Sequence, residues 1–394
     1  MSRWPNKYVI GLTGNIAVGK SVVRQMLQHL GAYTIDADGL THQAMQPGAP
    51  AYKPVVETFG QFILGPDKRI NRALLGQIVF SNPVALEKLE SIVHPIVRQA
   101  IGTLVSRSKQ RVVVIEAIKL LEGGLAETVD AVWVVDATPE TQIKRLMQKR
   151  KLAEADARQR VTVQNPQADK LARATVIINN DGNVEETWKQ VQDAWSQVRQ
   201  AVTNQPAAAA APAPATPKPA GAPLAKDIQV QVKRGMPGNA EAIANFISSV
   251  SDHQVSRMDI MLAFGQKSYL LAQDQNGNQV GVIGWQVENL ITRTDEFYLR
   301  PDAPPKPIIA ALIAAIEEAS TDLQSEVSFI FLPTNTTDAV VQPFLNHGYE
   351  VTTVKDIKIP AWREAVQEIV NTSNEAGFRI LTRKLREDRV LQPL

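Results

Sequence analysis

Short apolar runs alternate with helical repeats along the N-terminal half of the chain. Tyr8-Val9-Ile10 is followed by a stretch in which Val22, Val23, Met26, Leu27 and Leu30 share one helical face. Ala32 to Ile35, Val112 to Ile115, Ala131 to Val135 and Val176 to Ile178 are further short runs rich in β-branched residues and separated by helical patterns. This order predicts a parallel sheet covered on both faces, an α/β fold. The residues between Leu40 and Lys109 far exceed what a crossover needs and predict a mainly helical insertion, the natural substrate-binding portion.

Between Thr203 and Lys226 the pattern collapses to alanine and proline, with no large apolar residue before Leu224. Such a segment cannot bury enough surface to offset its ordering entropy, so it reads as an extended linker. Beyond it, Ile228 to Val232 alternates as a strand and Asn239 to Val250 is an amphipathic helix. Ser268 to Gln273 and Gln279 to Glu288, around Asn276-Gly277-Asn278, predict an antiparallel hairpin. Phe297 to Arg300 is a further strand leading into a helix over Ile308 to Ala319. The predicted organisation is an α/β domain over 1–202, a linker over 203–226 and an α+β domain over 227–394, the last expected to fold independently.

Composition narrows the function classes. Lys+Arg 42 against Asp+Glu 40 leaves a net charge of +2, so nothing global points to nucleic acid or a membrane surface as partner. With Cys 0 there are no disulfides, thiol nucleophiles or cysteine-ligated metals. Met1 to Lys7 lead straight into the first apolar run, and no run is long enough to span a bilayer, so a cytoplasmic location is expected.

In open α/β sheets ligands bind beyond the carboxyl ends of the strands. After the first strand, Gly14-Asn15-Ile16-Ala17-Val18-Gly19-Lys20-Ser21 fits G-x-x-x-x-G-K-[ST] and leads into a helix. The glycines let backbone N–H groups turn inward around a polyphosphate, and the helix adds the positive end of its dipole. Lys20 would reach the β- and γ-phosphates, and the Ser21 hydroxyl could ligate Mg²⁺. A nucleoside triphosphate is the expected ligand. Asp36-Ala37-Asp38-Gly39 also reads D-x-x-G, but no N-K-x-D follows to select guanine, which argues against a switch GTPase.

Phosphoryl transfer further requires a group to orient or deprotonate the acceptor, and cations on the migrating phosphoryl group. Asp36 and Asp38 follow the second strand; Asp36 is the expected base, and Asp38 suits better the cap of a helix beginning near Leu40. After the fourth strand, Thr138-Pro139-Glu140 starts a helix carrying Lys144, Arg145, Lys149, Arg150 and Lys151. It reads either as a solvated basic face or as a lid whose Arg145, Lys149 and Arg150 fold over the triphosphate. Glu116, ending the third strand, resembles an acidic residue beside Mg²⁺.

Together with the loop and Asp36-Ala37-Asp38, Pro47 to Tyr52, Phe59-Gly60, Ile70-Asn71-Arg72, Ile78 to Phe80, Leu89 to Pro95 and Val134 to Gln142 carry a family likeness in order and spacing. This series resembles dephospho-coenzyme A kinase. The resemblance implies ATP-dependent phosphorylation of the ribose 3′-hydroxyl of dephospho-coenzyme A. It also implies Asp36 as base and puts His94 and Arg98 in the acceptor-side helical portion, while Asp38 and Arg72 are further candidate substrate-binding residues. Ile118 to Glu122, Lys149-Arg150, Thr175 and Asn179 depart from the family's usual residues, which leaves the identity of the lid cation open.

The C-terminal pattern, with its late Phe344 to Val351, is similar to the GNAT-type N-acetyltransferase fold. That likeness implies a glycine-containing pyrophosphate loop, but Arg300 to Pro307 holds Pro301, Pro304, Pro305 and Pro307, which have no N–H to offer. Poor acetyl transfer is therefore expected, while a CoA or acyl-CoA ligand would make sense of the fusion. Two alternatives accompany the kinase reading: a bifunctional kinase and acetyltransferase, and a nucleotide-binding regulatory protein.

Overall fold

Five strands, β1 (Tyr8–Thr13), β2 (Tyr33–Asp36), β3 (Val112–Glu116), β4 (Ala131–Asp136) and β5 (Val176–Asn179), form a parallel sheet in the order β2-β3-β1-β4-β5. The structure is a computed structural model describing residues 4–164, 167–203, 229–372, 377–388 and 390. Of the expected linker, all but Thr203 lies outside the described residues. Every residue of β3 is buried, as a strand covered on both faces requires. One face packs on α1 (Lys20–His29) and the long C-terminal helix of this half through Leu27, Trp133 and Trp195.

The other face carries the insertion, which is helical as expected: α2 (Ala37–Ala44), α3 (Tyr52–Phe59), α4 (Arg72–Ser81) and α5 (Pro83–Arg107). Asn82 starts α5 by accepting from the N–H groups of Val84 and Ala85, and Pro83 fits the first turn, where no N–H partner is needed. The helix then buries Val97, Ile101 and Leu104 against the sheet. After β4 come α6 (Pro139–Arg150), α7 (Glu154–Thr162), α8 (Gln167–Ala172) and α9 (Val184–Thr203). The expected Thr138 cap of α6 is present.

The C-terminal half contains β6 (Gln231–Arg234), α10 (Ala240–Val250), α11 (Arg257–Ala263), β7 (Ser268–Gln273), β8 (Gln279–Glu288), β9 (Ile291–Leu299), α12 (Pro305–Asp322), β10 (Val327–Pro333), α13 (Asp338–Asn346), β11 (Glu350–Thr352), α14 (Pro360–Thr372) and β12 (Phe378–Lys384). Its seven strands run β11-β12-β10-β9-β8-β7-β6. Pairing is antiparallel from β6 to β9 and parallel between β9 and β10, but only from Ile291 to Thr294. Three expectations shift here. The strand anticipated from Ile228, which lies outside the described residues, is seen from Gln231, and Phe297 to Leu299 is the end of the longer β9 rather than a strand of its own, with Arg300 just beyond it. The anticipated loop to Pro307 is shorter, because Pro305 and Pro307 occupy the first turn of α12, where a missing N–H costs nothing.

Each half has apolar clusters of its own, such as the one around Ile313, Phe344 and Leu381, but one further cluster runs across both halves. Leu40 and Leu104 of the first half share one apolar cluster with Leu290 and Leu323 of the second. Hydrogen bonds cross the seam: Gln324 Nε2 donates to Leu104 O at 2.7 Å and Gln43 Nε2 to Asn289 O at 2.6 Å. At the end of α1, His29 Nε2 donates to Phe264 O at 3.0 Å, with the ring edge-on to Phe264 and Trp188. Burial pushes the His29 pKa down from 6.5 to about 4, against the pull of the Phe264 carbonyl.

Neutral in the folded chain, His29 contributes stability that is complete above pH 6.5 and lost as pH falls towards 4. The loss amounts to about 3 kcal/mol. The urea midpoint of the full chain should fall across this window, and His29→Gln should flatten the fall; superimposable pH profiles would contradict the assignment.

Candidate active site

The phosphate loop is shaped by positions only glycine can fill. Gly14 has φ +147°, and a Cβ there would lie 2.4 Å from Val135 O; Gly19 has φ +99°, and its Cβ would lie 2.1 Å from Asn180 Nδ2. No side chain caps α1, so the first N–H groups of the helix point into the loop as an anion site. The loop is braced from behind. Asn180 Nδ2 donates to Val18 O at 2.7 Å, and Thr187 Oγ1 fixes Asn180 by donating to its Oδ1. Arg145 donates through Nη1 to Ala17 O and Val18 O and through Nη2 to Asn180 O.

Two glutamines reach the loop from the lid side. Asn15 N donates to Gln167 Oε1 at 3.1 Å and Ile16 N to Gln164 Oε1 at 2.7 Å, while Lys20 Nζ donates back to Gly14 O and Asn15 O. These neutral acceptors stand where anionic oxygens would compete for the same donors. Burial lowers the Lys20 pKa, and the carboxylates of Glu116, Asp38 and Asp36 oppose that fall.

Asp36 ends β2 level with Glu116 at the end of β3. Asp36, not Asp38 as expected, caps α2, its Oδ1 accepting from Gly39 N at 2.9 Å. The helix starts at Ala37, three residues earlier than the apolar pattern suggested, and so the cap falls on the earlier aspartate. Asp38 Oδ2 instead accepts from Ile118 N at 3.1 Å; burial raises its pKa, with Ile118 N–H and Lys20 pulling the other way. Glu116 is buried and held by Arg24 Nε at 2.6 Å. Burial pushes the Glu116 carboxyl up against the pull of Arg24.

A cleft of about 690 Å³ brings together Lys20, Ser21, Asp36, Asp38, Glu116, Arg145, Lys149 and Arg150. Lys149 and Arg150 are exposed at the end of α6, whereas Arg145 is committed to the loop backbone. Gly14, Asn15, Ile16, Ala17, Val18 and Gly19 form the loop itself. Arg72 lies apart, in a groove of about 540 Å³ with His42, between α2 and α14. Burial, reinforced by Arg72, lowers the His42 pKa to about 4. His94 and Arg98, on α5, line neither cavity; Arg98 Nη2 donates to Gly123 O at 2.7 Å.

Sequence reasoning missed Arg24, Gln164, Gln167, Lys170 and Asn180. Asn180 follows β5 as Asp36 ends β2, so the rule about strand ends could have found it. Lys170, which donates to Ile118 O and faces Asp38, carries no local motif. Met258, Leu262 and Gln266, also on the cleft wall, come from the C-terminal half and had no signal linking them to the loop.

Residues 8–186 match the family model described as dephospho-CoA kinase. Dephospho-CoA kinase of Geobacter sulfurreducens is 41% identical over 192 residues, covering 48% of this chain and 98% of that protein. Among solved structures, dephospho-CoA kinase from Campylobacter jejuni shares 26% identity, with a TM-score of 0.38 over 50% of this chain and 98% of its own. A GNAT superfamily phosphinothricin acetyltransferase from Sinorhizobium meliloti, in complex with AcCoA, shares 16% identity, with a TM-score of 0.32 over 42% of this chain and 93% of its own. The C-terminal sheet is antiparallel to β9 and then parallel to β10.

Asn180→Ala removes a buried donor and acceptor that join Val18 to Thr187, and should lower stability by about 1–3 kcal/mol. Loss of the brace should also weaken nucleotide binding. Unchanged melting temperature and unchanged affinity would show that the loop holds its shape without it.

Proposed function

Because the chain belongs to the dephospho-CoA kinase family and so converts dephospho-CoA to coenzyme A with ATP as phosphate donor, we propose that Asp36 receives the acceptor proton while Lys20 holds the migrating phosphoryl group. The oxygen of the ribose 3′-hydroxyl attacks the γ-phosphorus, the bond to the β–γ bridging oxygen breaks, and ADP leaves. The proton of the hydroxyl passes to Asp36. What carries this reading is that Lys20 and Asp36, from two different strand ends, line one cleft. Little covalent chemistry falls to the protein in such a transfer, so positioning and charge supply most of the rate.

The oxygen donors of the cleft fit a hard divalent cation. Among the described residues no group of three His, Cys, Asp or Glu could hold an ion unaided. That suits Mg²⁺, which binds through few protein ligands and keeps water and substrate phosphates in its shell. We assign Ser21 as its protein ligand, with Glu116, engaged by Arg24, as a further oxygen nearby. When bound, the cation neutralises charge on the β- and γ-phosphates.

Lys149 and Arg150 serve in this proposal as the lid cations, and Arg145 as the brace of the loop they close over. Asp38 and Arg72 recognise the acceptor, and His94 and Arg98 belong to its side by family likeness. The proposed division remains 1–202, 203–226 and 227–394, with the two domains docked. A cytoplasmic location suits an ATP-dependent enzyme, and no helix among the described residues is long and apolar enough to cross a membrane. A CoA or acyl-CoA ligand on the C-terminal half belongs to the same proposal; Pro304, Pro305 and Pro307 withhold N–H groups there and argue against efficient acetyl transfer.

Mass analysis of the full chain incubated with ATP, Mg²⁺ and dephospho-CoA should show the acceptor heavier by one phosphoryl group. Lys20→Ala should cost roughly 10²–10³ in kcat, the effect of removing a charge contact that tightens in the transition state. Asp36→Asn should lower kcat while ATP affinity stays within roughly twofold. Full activity in Lys20→Ala would sink the assignment of Lys20, and equal loss of kcat and ATP affinity in Asp36→Asn would make Asp36 a structural residue.

A further inference from the structure

The cleft has a wall that the kinase half does not supply. Met258 and Leu262 of α11 face the same cavity as Gly19, Lys20 and Asn180. The opposite face of α11 is committed to its own core, where Ile260, Met261 and Phe264 pack with α10. Met258 and Leu262, one helical turn apart and therefore on one face, are 48% and 58% exposed. Two large apolar side chains thus stand open on the side of a polar phosphate site.

Their position is fixed by the helices that flank the loop. A Cβ on Gly265 would come within 3.2 Å of Val22 on α1, so the backbone after α11 lies directly against that helix. Phe264 O accepts from His29 at the other end of α1, and Arg257 Nη1 pairs with Glu185 Oε1 of α9 at 2.6 Å. The lining of the same cavity also takes in Asn180, Asn183 and Val184, which follow β5.

A triphosphate held at Lys20 also has a nucleoside to seat in this cavity, which Met258 and Leu262 line. Phosphates and ribose hydroxyls gain nothing from open apolar side chains, whereas a flat heterocycle does. We propose that Met258 and Leu262 form the outer wall of the pocket for the purine ring of ATP, so that the GNAT-like half completes the nucleotide site of the kinase half. The proposal rests on the reading of this cleft as the ATP site, and its test reads binding rather than turnover.

The test uses the full-length double variant Met258→Ser with Leu262→Ser and measures calorimetric affinity for ATP and for inorganic tripolyphosphate, alongside KM for dephospho-CoA. Both residues are exposed, so the melting temperature should hold. The Kd for ATP should rise roughly fivefold, as partial loss of apolar cover on the base predicts. Tripolyphosphate affinity and dephospho-CoA KM should stay within roughly twofold, and Met258→Leu with Leu262→Met should restore ATP binding. Unchanged ATP affinity, an equal loss for tripolyphosphate, or a loss confined to dephospho-CoA would each overturn the proposal. Wild-type binding of ATP without phosphorylation of dephospho-CoA would refute the kinase reading and leave the wall standing.

Discussion

The ion pair between Arg24 and Glu116 joins the parts on which the cleft depends. Its side chains meet at 2.6 Å, each 11% exposed, tying the phosphate-loop helix to the end of β3, which lies between β2 and β1. Asp36 and Glu288 add negative charge around Arg24, so a residue of β8 in the C-terminal half belongs to the same field. A buried pair of this kind adds little net stability over apolar packing, but removing one partner strands a charge and typically costs about 3–5 kcal/mol. Its consequence is geometric. The phosphate-loop helix and the level ends of β2 and β3 keep one relation to one another.

That relation was only partly legible in the sequence. The parallel sheet could be read because strands buried on both faces leave continuous apolar runs, and β3 is buried throughout. The loop could be read because Gly14 and Gly19 sit where a Cβ would strike Val135 O or Asn180. What resisted reading was long-range: Arg24 lies 92 residues from Glu116, and its place in a helical pattern gives no hint of a partner. The cap of α2 was misread for a local reason. Asp36 and Asp38 are both good caps, and only tertiary contact with Ile118 N decides which carboxylate is free for the helix.

The proline-rich boundary suggested a domain tethered but separate, and composition alone cannot reveal that two surfaces match. Leu290 makes the point, since it lies in a turn with φ +65°, an unusual conformation for leucine, yet buries its side chain in a cluster shared with Leu40 and Leu104. The parallel pairing of β9 with β10 runs only from Ile291 to Thr294. The C-terminal half meets the kinase half through the face of α11 and the β8–β9 turn. Docking gives this surface its role, because the His29–Phe264 hydrogen bond, the Arg257–Glu185 pair and the contact of Gly265 with Val22 hold α11 beside the cleft.

The proposed reaction is the passage of a phosphoryl group from the loop at Lys20 to an acceptor beside Asp36. Phosphorus NMR of the product formed by the full chain from ATP, Mg²⁺ and dephospho-CoA tests this most directly. A new monoester resonance coupled to the ribose 3′ position, formed in step with ADP, is the predicted result. ADP and free phosphate with an unmodified acceptor, or a monoester elsewhere on the acceptor, would contradict it.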